Sequence, residues 1–182
     1  AKCVSDVFQG QPKHDGSRTF LNKFGALNFD GFGNFPLVLD NESICENVRG
    51  IQMAEGLNPV EHLEGDGRTF TIEMETGTGK TYTYTQTMFE LNKHYGIFKL
   101  IVVPTLSINA GTVDFLKSDS SREHFKELYG KTLHIHIVES KKGTKSKKSF
   151  IPPAVASFVT AGSFEKNSIR VLLINAGMIN SD

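Results

Sequence analysis

The segment TGTGKT, residues 76–81, sets two glycines beside a lysine and a threonine. Glycine is costly in regular structure, but it is useful where the backbone must adopt positive φ or approach a ligand closely. Gly77 and Gly79 can therefore curl the chain so that successive N–H groups point at phosphate oxygens. Lys80 can reach the outer phosphates as a point charge, and Thr81 can give its hydroxyl to a bridging Mg²⁺. These residues predict a site for a nucleoside triphosphate and Mg²⁺.

The common phosphate-loop pattern, G-x-x-x-x-G-K-[ST], matches at Gly79, Lys80 and Thr81, whereas its first position is occupied by Met74. Gly77 can still open the turn. Hydrolysis needs in addition an acidic residue on a neighbouring strand and an arginine that stabilises charge in the transition state. No strand that ends in Asp-Glu follows Lys80, so no catalytic residue is assigned.

The elements that must position this loop follow from hydrophobic periodicity and capping signals. A strand over 69–74 precedes the loop, and a helix from about Gly79 to Tyr95 presents the positive end of its dipole to the same anion. Strands alternate with helices beyond it, so the predicted fold is α/β, with an open, mainly parallel sheet and flanking helices. Residues 1–39 are interpreted as loop and turn. The other predicted elements are a helix capped by Asp40 or Asn41, strands over 97–104, 131–140 and 169–177, and helices that begin near Ser107, at Ser120 or Ser121, and at Pro152–Pro153.

The composition is that of an ordinary soluble globular protein, with 38% hydrophobic residues and a formal net charge of +0 over 182 residues. Overall charge therefore gives no evidence for nucleic-acid or membrane binding. No apolar run approaches the roughly 20 residues that span a bilayer, and no signal peptide is evident. Cys3 and Cys45 are expected to be reduced thiols, which is typical of a cytoplasmic protein.

Two further features have alternative interpretations. The lysine-rich segment 141–148 could contact DNA phosphates, or it could be a solvated loop. His134 and His136 share one face of a predicted strand. A metal site would need two more ligands, so ordinary strand histidines are the favoured interpretation.

Several residues near the loop are also candidates. Glu73 and Glu75 would repel a nucleotide if both pointed inward, so at least Glu73 is expected to face away. Tyr82 and Tyr84 lie about 200° apart on a helix, so one is expected in the core and the other at the surface. Gln11 is a candidate for reading adenine.

The segment METGTGKTYTYTQTMFELNKHYGIFKLIVVPTLSINAGT, residues 74–112, resembles the ATP-binding segment of the Res subunits of type III restriction enzymes, which are superfamily 2 helicase-like motors. The resemblance includes the TGTGKT motif, the helix at Phe89–Gly96 and the strand end at Val102–Pro104. VLLINAGMIN and VFQGQP, residues 171–180 and 7–12, are similar to later and earlier parts of the family sequence.

The resemblance implies a P-loop, RecA-like motor domain that uses ATP and Mg²⁺. It assigns nucleotide binding to Thr76, Gly77, Thr78, Gly79, Lys80 and Thr81, and Mg²⁺ to Thr81 through ATP. Residues 104–111 match the next motor motif, which touches the DNA backbone. The implied partners are double-stranded DNA and the methylation and recognition (Mod) subunit, and a separate nuclease domain cuts the DNA.

The expected organisation is an N-terminal region over 1–68 and, over 69–182, the first part of a motor domain that stops before the Asp-Glu motif. Such a chain should hydrolyse ATP very poorly, because loss of the transition-state arginine alone costs roughly 10³–10⁵ in rate. Three alternatives remain open: another superfamily 2 motor, a type I restriction subunit, and a nucleotide-binding or interaction module that does not hydrolyse ATP.

Overall fold

Seven helices and five strands occur in the part of the chain that the computed structural model describes, residues 1–13, 19–22, 25–28, 32–139, 151–162 and 167–179. In chain order they are α1 (Lys2–Asp6), β1 (Thr19–Asn22), β2 (Gly25–Asn28), α2 (Asn41–Ala54), α3 (Lys80–Tyr95), β3 (Lys99–Val102), α4 (Leu106–Lys117), α5 (Asp119–Tyr129), β4 (Thr132–Ile137), α6 (Pro153–Thr160), β5 (Ser168–Leu173) and α7 (Ala176–Ile179).

The chain forms two compact units. The first consists of Ala1–Lys13 and Pro36–Tyr95, and the second of His14–Phe35 and Gly96–Asp182. The phosphate-loop candidate belongs to the first unit and the parallel sheet to the second. The expected division at residue 68 remains a prediction.

Helix α2 of the first unit begins where its capping residue predicts. The Asp40 side chain accepts a 2.8 Å hydrogen bond from the Ser43 N–H, which satisfies one of the free donors of the first turn. The same bond lowers the pKa of Asp40, because it favours the carboxylate. Ile44, at 1% exposure, is buried on the inner face of the helix. Gly56 follows the C-terminal end of the helix and has a left-handed φ of 71°. The capping prediction is confirmed.

Helix α3 forms although its first half is rich in threonine and tyrosine, which are only moderate helix formers. Thr85 is 1% exposed, and its hydroxyl donates to the Thr81 carbonyl at 2.7 Å. This bond satisfies a polar group that would otherwise be costly to bury. Phe89, at 2% exposure, supplies apolar burial further along. The sequence predicts that the helix stops at Gly96 with a left-handed cap, and Gly96 does follow the last helical residue with a φ of 74°.

The strand predicted over 69–74 is wrong. These residues are described and pair with no strand, and Ile72 is 59% exposed. A strand requires a hydrogen-bonded neighbour, which β-propensity alone cannot supply. The segment is instead held by a side chain: the Phe70 ring meets the Phe8 ring edge-on at 6.5 Å. Phe8 also meets Tyr95 at 6.1 Å, and the Tyr95 hydroxyl donates to the Ser5 carbonyl.

A parallel sheet of order β3-β5-β4 forms the centre of the second unit, which confirms the predicted fold class. The register aligns Leu100 with Val171 and Ile135 with Val171. Central strand β5 is the most buried, with Ile169 and Val171 at 0% exposure. Helix α6 packs on β4 and β5, where Phe158 joins Leu172 and Val138 in an apolar cluster.

The continuous apolar run at residues 97–104, IFKLIVVP, predicts a strand that is buried on both faces, as in a parallel sheet, and this prediction is wrong. Ile101 is 59% exposed and Val103 45% exposed. The reason is position: β3 lies at an edge of the described sheet, and α6 covers β4 and β5 instead. Near its start β3 is bound by Asn34, whose side chain accepts from the Phe98 and Lys99 N–H groups at 3.0 Å and donates to the Lys99 carbonyl at 2.6 Å.

The cap of helix α5 lies two or three residues earlier than the predicted cap at Ser120 or Ser121. The Ser118 hydroxyl, rather than Ser120 or Ser121, is the cap, and it accepts from the Ser121 N–H at 3.3 Å. The sequence pattern predicts that Phe125 and Leu128 both face inward. Phe125 is buried, at 2% exposure, but Leu128 is 56% exposed. The inner stripe follows i, i+4 spacing through Phe125 to Tyr129, whose rings stack at 6.4 Å, so Leu128 falls outside it.

Residues 1–39 contain more regular structure than the sequence predicts. Besides α1, strands β1 and β2 pair antiparallel, with Thr19 opposite Asn28 and Asn22 opposite Gly25. The two residues between them, Lys23-Phe24, are not a typical hairpin dipeptide, so the usual turn signal was missing. The lysine-rich segment 141–148 lies outside the described residues.

Candidate functional site

The turn at residues 76–79 joins an extended segment to the first residue of α3. Gly77 has a φ of 83° and Gly79 a φ of 79°, and among the described residues positive φ occurs only at glycines. Residues of negative and positive φ therefore alternate through the turn, as they do in backbone turns that bind anions through their N–H groups. The conformational requirement for both glycines is confirmed, whereas their role in nucleotide binding stays a prediction.

The start of α3 is electrostatically unusual. Lys80 is its first residue, and no acidic residue occurs in its first turn, whereas Lys93 and His94 lie in its last turn. Basic side chains suit the negative C-terminal end of the dipole, but a lysine at the positive N-terminal end is unfavourable by itself. Lys80 is exposed and makes no ion pair with any described residue. A bound anion in front of this turn would compensate both the charge of Lys80 and the positive end of the helix dipole.

The open surroundings of the turn fit such an anion. Residues 75–80 are all exposed, and Thr81 is half-buried. A Cβ built at Gly77 would meet no atom within 4 Å, and one at Gly79 would meet only the Tyr82 Cβ, at 4.0 Å. Glycine is thus required here by φ and not by crowding within the chain. The turn as a whole is open to solvent, as a site for a phosphate must be. The donor set fits a nucleotide phosphate.

The side chains around the turn differ in how well they match expectation. Glu73 and Glu75 are both exposed to solvent. Tyr82 and Tyr84 are both half-buried, so the expected division into a core and a surface residue is wrong. Opposite sides of one helix can each be partly covered. Sequence reasoning missed a bond inside the turn, from the Thr78 hydroxyl to the Glu75 carbonyl at 2.7 Å.

Gln11 already uses both ends of its side-chain amide. Its nitrogen donates to the Pro36 carbonyl at 3.0 Å, and its oxygen accepts from the Val38 N–H at 2.9 Å. The two bonds resemble those between paired strands, because one donates to a carbonyl and the other accepts from an N–H. They link the N-terminal segment to residues 36–38. Its role in reading adenine stays a prediction, and such a role would require these bonds to open.

His134 and His136 lie on β4, on the face that also carries Arg170 of β5 and Lys99 of β3. Burial, followed by the charges of Arg170, His134 and Lys99, lowers the pKa of His136. Its Nε2 is buried without a hydrogen-bond partner among the described residues, and its ring meets Phe158 edge-on at 5.8 Å. No group of three or more metal-ligating side chains occurs within the described part of the chain.

A second candidate segment, residues 104–111, follows the carboxyl end of β3. Pro104 is buried, and residues 105–108 are exposed at the start of α4. Thr105 occupies the N-cap without a side-chain cap bond, and its hydroxyl lies 3.2 Å from that of Ser107. Leu106 is 81% exposed. The first turn of α4 is therefore open to a ligand, and its predicted contact with DNA remains a prediction.

Both cysteines are free thiols, Cys3 exposed and Cys45 buried, as expected. A search of the described helices finds none with the length and hydropathy needed to cross a bilayer.

Comparison with known proteins places the chain in a family. The family model described as "Type III restriction enzyme, res subunit" matches residues 42–182. The EcoPI Res subunit of Escherichia phage P1 is 49% identical over 154 residues, and the EcoP15I Res subunit of Escherichia coli is 46% identical over 151. Each alignment covers 81% of this chain and 16% of the relative. The StyLTI Res subunit of Salmonella typhimurium is 42% identical over 149 residues, 76% of this chain and 15% of that protein.

The chain thus spans about a sixth of the length of these relatives, all of which are Res subunits of type III restriction-modification enzymes. The family match covers the turn at 76–79, the helix that begins at Lys80 and all three strands of the parallel sheet. This chain therefore belongs to the family of type III restriction enzyme Res subunits.

Proposed function

We propose that the chain forms the ATP-binding part of a DNA motor that supports DNA cleavage by a type III restriction enzyme. The observation that carries the proposal is the turn at residues 76–79, where two glycines at positive φ open directly into a helix headed by Lys80. Family membership supports it, because the relatives are subunits of restriction-modification enzymes.

In this proposal the residues of the turn divide the work of binding. The N–H groups from Gly77 to Lys80 and the dipole of α3 hold the phosphates, and the Lys80 ammonium balances their charge. Thr81 supplies a hydroxyl ligand to Mg²⁺. Bound ATP with Mg²⁺ would supply the free energy for movement along DNA.

The proposed partners are double-stranded DNA and the Mod subunit, in the cytoplasm. Support for DNA comes from residues 105–107, which are exposed at the N-terminus of α4 and whose N–H groups can face a phosphate. The Ile108 N–H is already bonded to the Thr105 carbonyl at 3.1 Å. Because the chain covers about a sixth of the length of these relatives, translocation and cleavage are proposed for the whole enzyme and not for this chain alone.

A nucleotide-binding module without hydrolysis is the second candidate. The observation that favours it is the absence of an acid directly after β3 and β5 in the described residues, where Pro104 and Asn175 occupy the carboxyl edge of the sheet. Measurement of ATP hydrolysis with and without DNA separates the two candidates, because DNA-stimulated turnover would exclude the module.

The direct test is calorimetric titration of ATP with Mg²⁺ into the chain and into its Lys80→Ala variant. We expect the parent to bind and Lys80→Ala to bind at least about tenfold more weakly, because a charged hydrogen bond contributes roughly 1.5–3 kcal/mol. Lys93→Ala is the matched control: its side chain is 58% exposed and lies in the last turn of the same helix, 3.7 Å from Glu90. Equal affinity of the parent and Lys80→Ala would contradict the proposed role of Lys80.

A further inference from the structure

The phosphate-loop candidate is braced by one side chain. The Thr78 hydroxyl donates to the Glu75 carbonyl at 2.7 Å and so closes the turn from residue 75 to residue 78. The next bond along the chain runs from the Thr83 N–H to the Gly79 carbonyl at 2.9 Å and belongs to the first turn of α3. Within the described residues, these are the hydrogen bonds in which residues 75–79 take part.

This scarcity follows from what an anion site must do. N–H groups that point outward at a ligand cannot also bond carbonyls of their own turn. The backbone therefore contributes little to holding the turn in shape, and two glycines make it more flexible still, because glycine has the widest choice of φ and ψ. A side-chain bond is the remaining local means of fixing it, and a threonine that bonds a carbonyl three residues earlier is a known local motif.

We propose that Thr78 is a positioning residue for the nucleotide: its hydroxyl fixes the turn so that the N–H groups of Gly77 and Gly79 converge before the phosphates arrive. The inference rests on the proposed nucleotide site and adds a role for one of its side chains. Because the hydroxyl has one proton and gives it to Glu75, it has none to donate to a phosphate oxygen. Thr78 therefore acts through the backbone and not by direct donation to the ligand.

The expected size of the effect is modest. A neutral hydrogen bond contributes about 0.5–1.5 kcal/mol net, which corresponds to a change of roughly 2- to 10-fold in affinity. The effect should fall on binding and leave the unfolding temperature unchanged, because residues 75–80 are all exposed. Loss of Lys80 should weaken binding more, since it removes a charge.

The test compares Thr78→Val, which keeps the shape and removes the hydroxyl, with Thr78→Ser, which keeps the hydroxyl. Thr71→Val is the matched control, because Thr71 is an exposed threonine of the preceding extended segment. Each chain is titrated with ATP and Mg²⁺ beside Lys80→Ala. The amide ¹H and ¹⁵N signals of Gly77 and Gly79 are also recorded without nucleotide.

We expect Thr78→Val to bind about 2- to 10-fold more weakly than the parent and to shift or broaden the two glycine signals, whereas Thr78→Ser and Thr71→Val resemble the parent. Parent-like affinity or parent-like glycine signals in Thr78→Val would overturn the inference. If only Lys80→Ala loses binding, the result supports the nucleotide site and contradicts the positioning role of Thr78. If the parent and Lys80→Ala bind alike, the proposed role of Lys80 fails, and the glycine signals still decide whether Thr78 fixes the turn.

Discussion

At the scale of single residues, the candidate site is where the chain departs from ordinary local preference. Lys80 begins a helix at the end where a cation is disfavoured, without an acidic residue in the first turn to offset its charge. Elsewhere the chain follows the rules, as with Asp40 at the start of α2 and Lys93 near the end of α3. Departures of this kind concentrate at functional sites, because a bound ligand supplies the missing interaction.

His136 makes the stability of the chain depend on pH. Its pKa is lowered in the folded chain, chiefly by burial, from an ordinary value of 6.5. The unfolded chain therefore binds more protons at this position just below pH 6.5, so stability is full above that pH and is lost as pH falls through the lower, folded pKa. We expect the free energy of unfolding, from urea titrations between pH 7.5 and pH 5, to decline less steeply for His136→Gln than for the parent.

His134→Gln is the control for that series, since His134 is an exposed histidine on the same strand. It should retain most of the decline, although its own charge contributes to the shift at His136. An unchanged decline in His136→Gln would show that other groups cause the acid sensitivity.

At the scale of elements, caps decide where helices begin. Two serines inside α5 resemble caps in sequence, but Ser118, one residue before the helix, accepts the bond from the Ser121 N–H. Ser120 is exposed within the helix. Serine has a short side chain that serves equally well at several neighbouring positions, so local pattern alone does not select among them.

Ser118→Ala should destabilise the chain by about 1 kcal/mol, because it removes the cap of α5. Ser120→Ala should be neutral or slightly stabilising, since alanine is the better helix former at an exposed interior position. Urea unfolding monitored by far-ultraviolet circular dichroism compares the two variants. The reverse order of stabilities would assign the cap to Ser120.

At the scale of the whole molecule, the two thiols report on folding and on the proposed ligand. Cys3 is exposed, whereas Cys45 is 7% exposed in the unit that also contains residues 76–81. In the Cys3→Ser variant, Cys45 should react slowly with a thiol reagent under native conditions and rapidly in denaturant. ATP at 100 times its dissociation constant should slow the native reaction up to about 100-fold, because a ligand stabilises the folded state by mass action.

The same thiol reaction also tests whether nucleotide binding at residues 76–81 stabilises the unit that contains Cys45. Slowing of Cys45 by ATP in the parent and not in a Lys80→Ala background would connect nucleotide binding to the stability of this unit. A reaction of Cys45 as fast as that of Cys3 in the native chain would contradict the burial of α2.

The sequence by itself determined what depends on short-range chemistry. The α/β class, most helices, the strands over 99–102, 132–137 and 168–173, the left-handed Gly96 and the glycine conformations of the phosphate-loop candidate all follow from neighbours within a few residues. The same holds for TGTGKT, whose residue types and spacing carry their chemistry without reference to distant parts of the chain.

Only the tertiary structure decided what depends on distant partners. The composition of residues 69–74 predicts a strand, but no described strand pairs with them. The apolar run around Ile101 predicts burial, but Ile101 lies on an edge strand and is exposed. Hydrogen-bond ladders and burial are properties of two segments together, so one segment's composition cannot settle them. The brace from Thr78 to Glu75 was likewise invisible in sequence, because whether a hydroxyl meets a carbonyl depends on the φ and ψ angles of the turn between them.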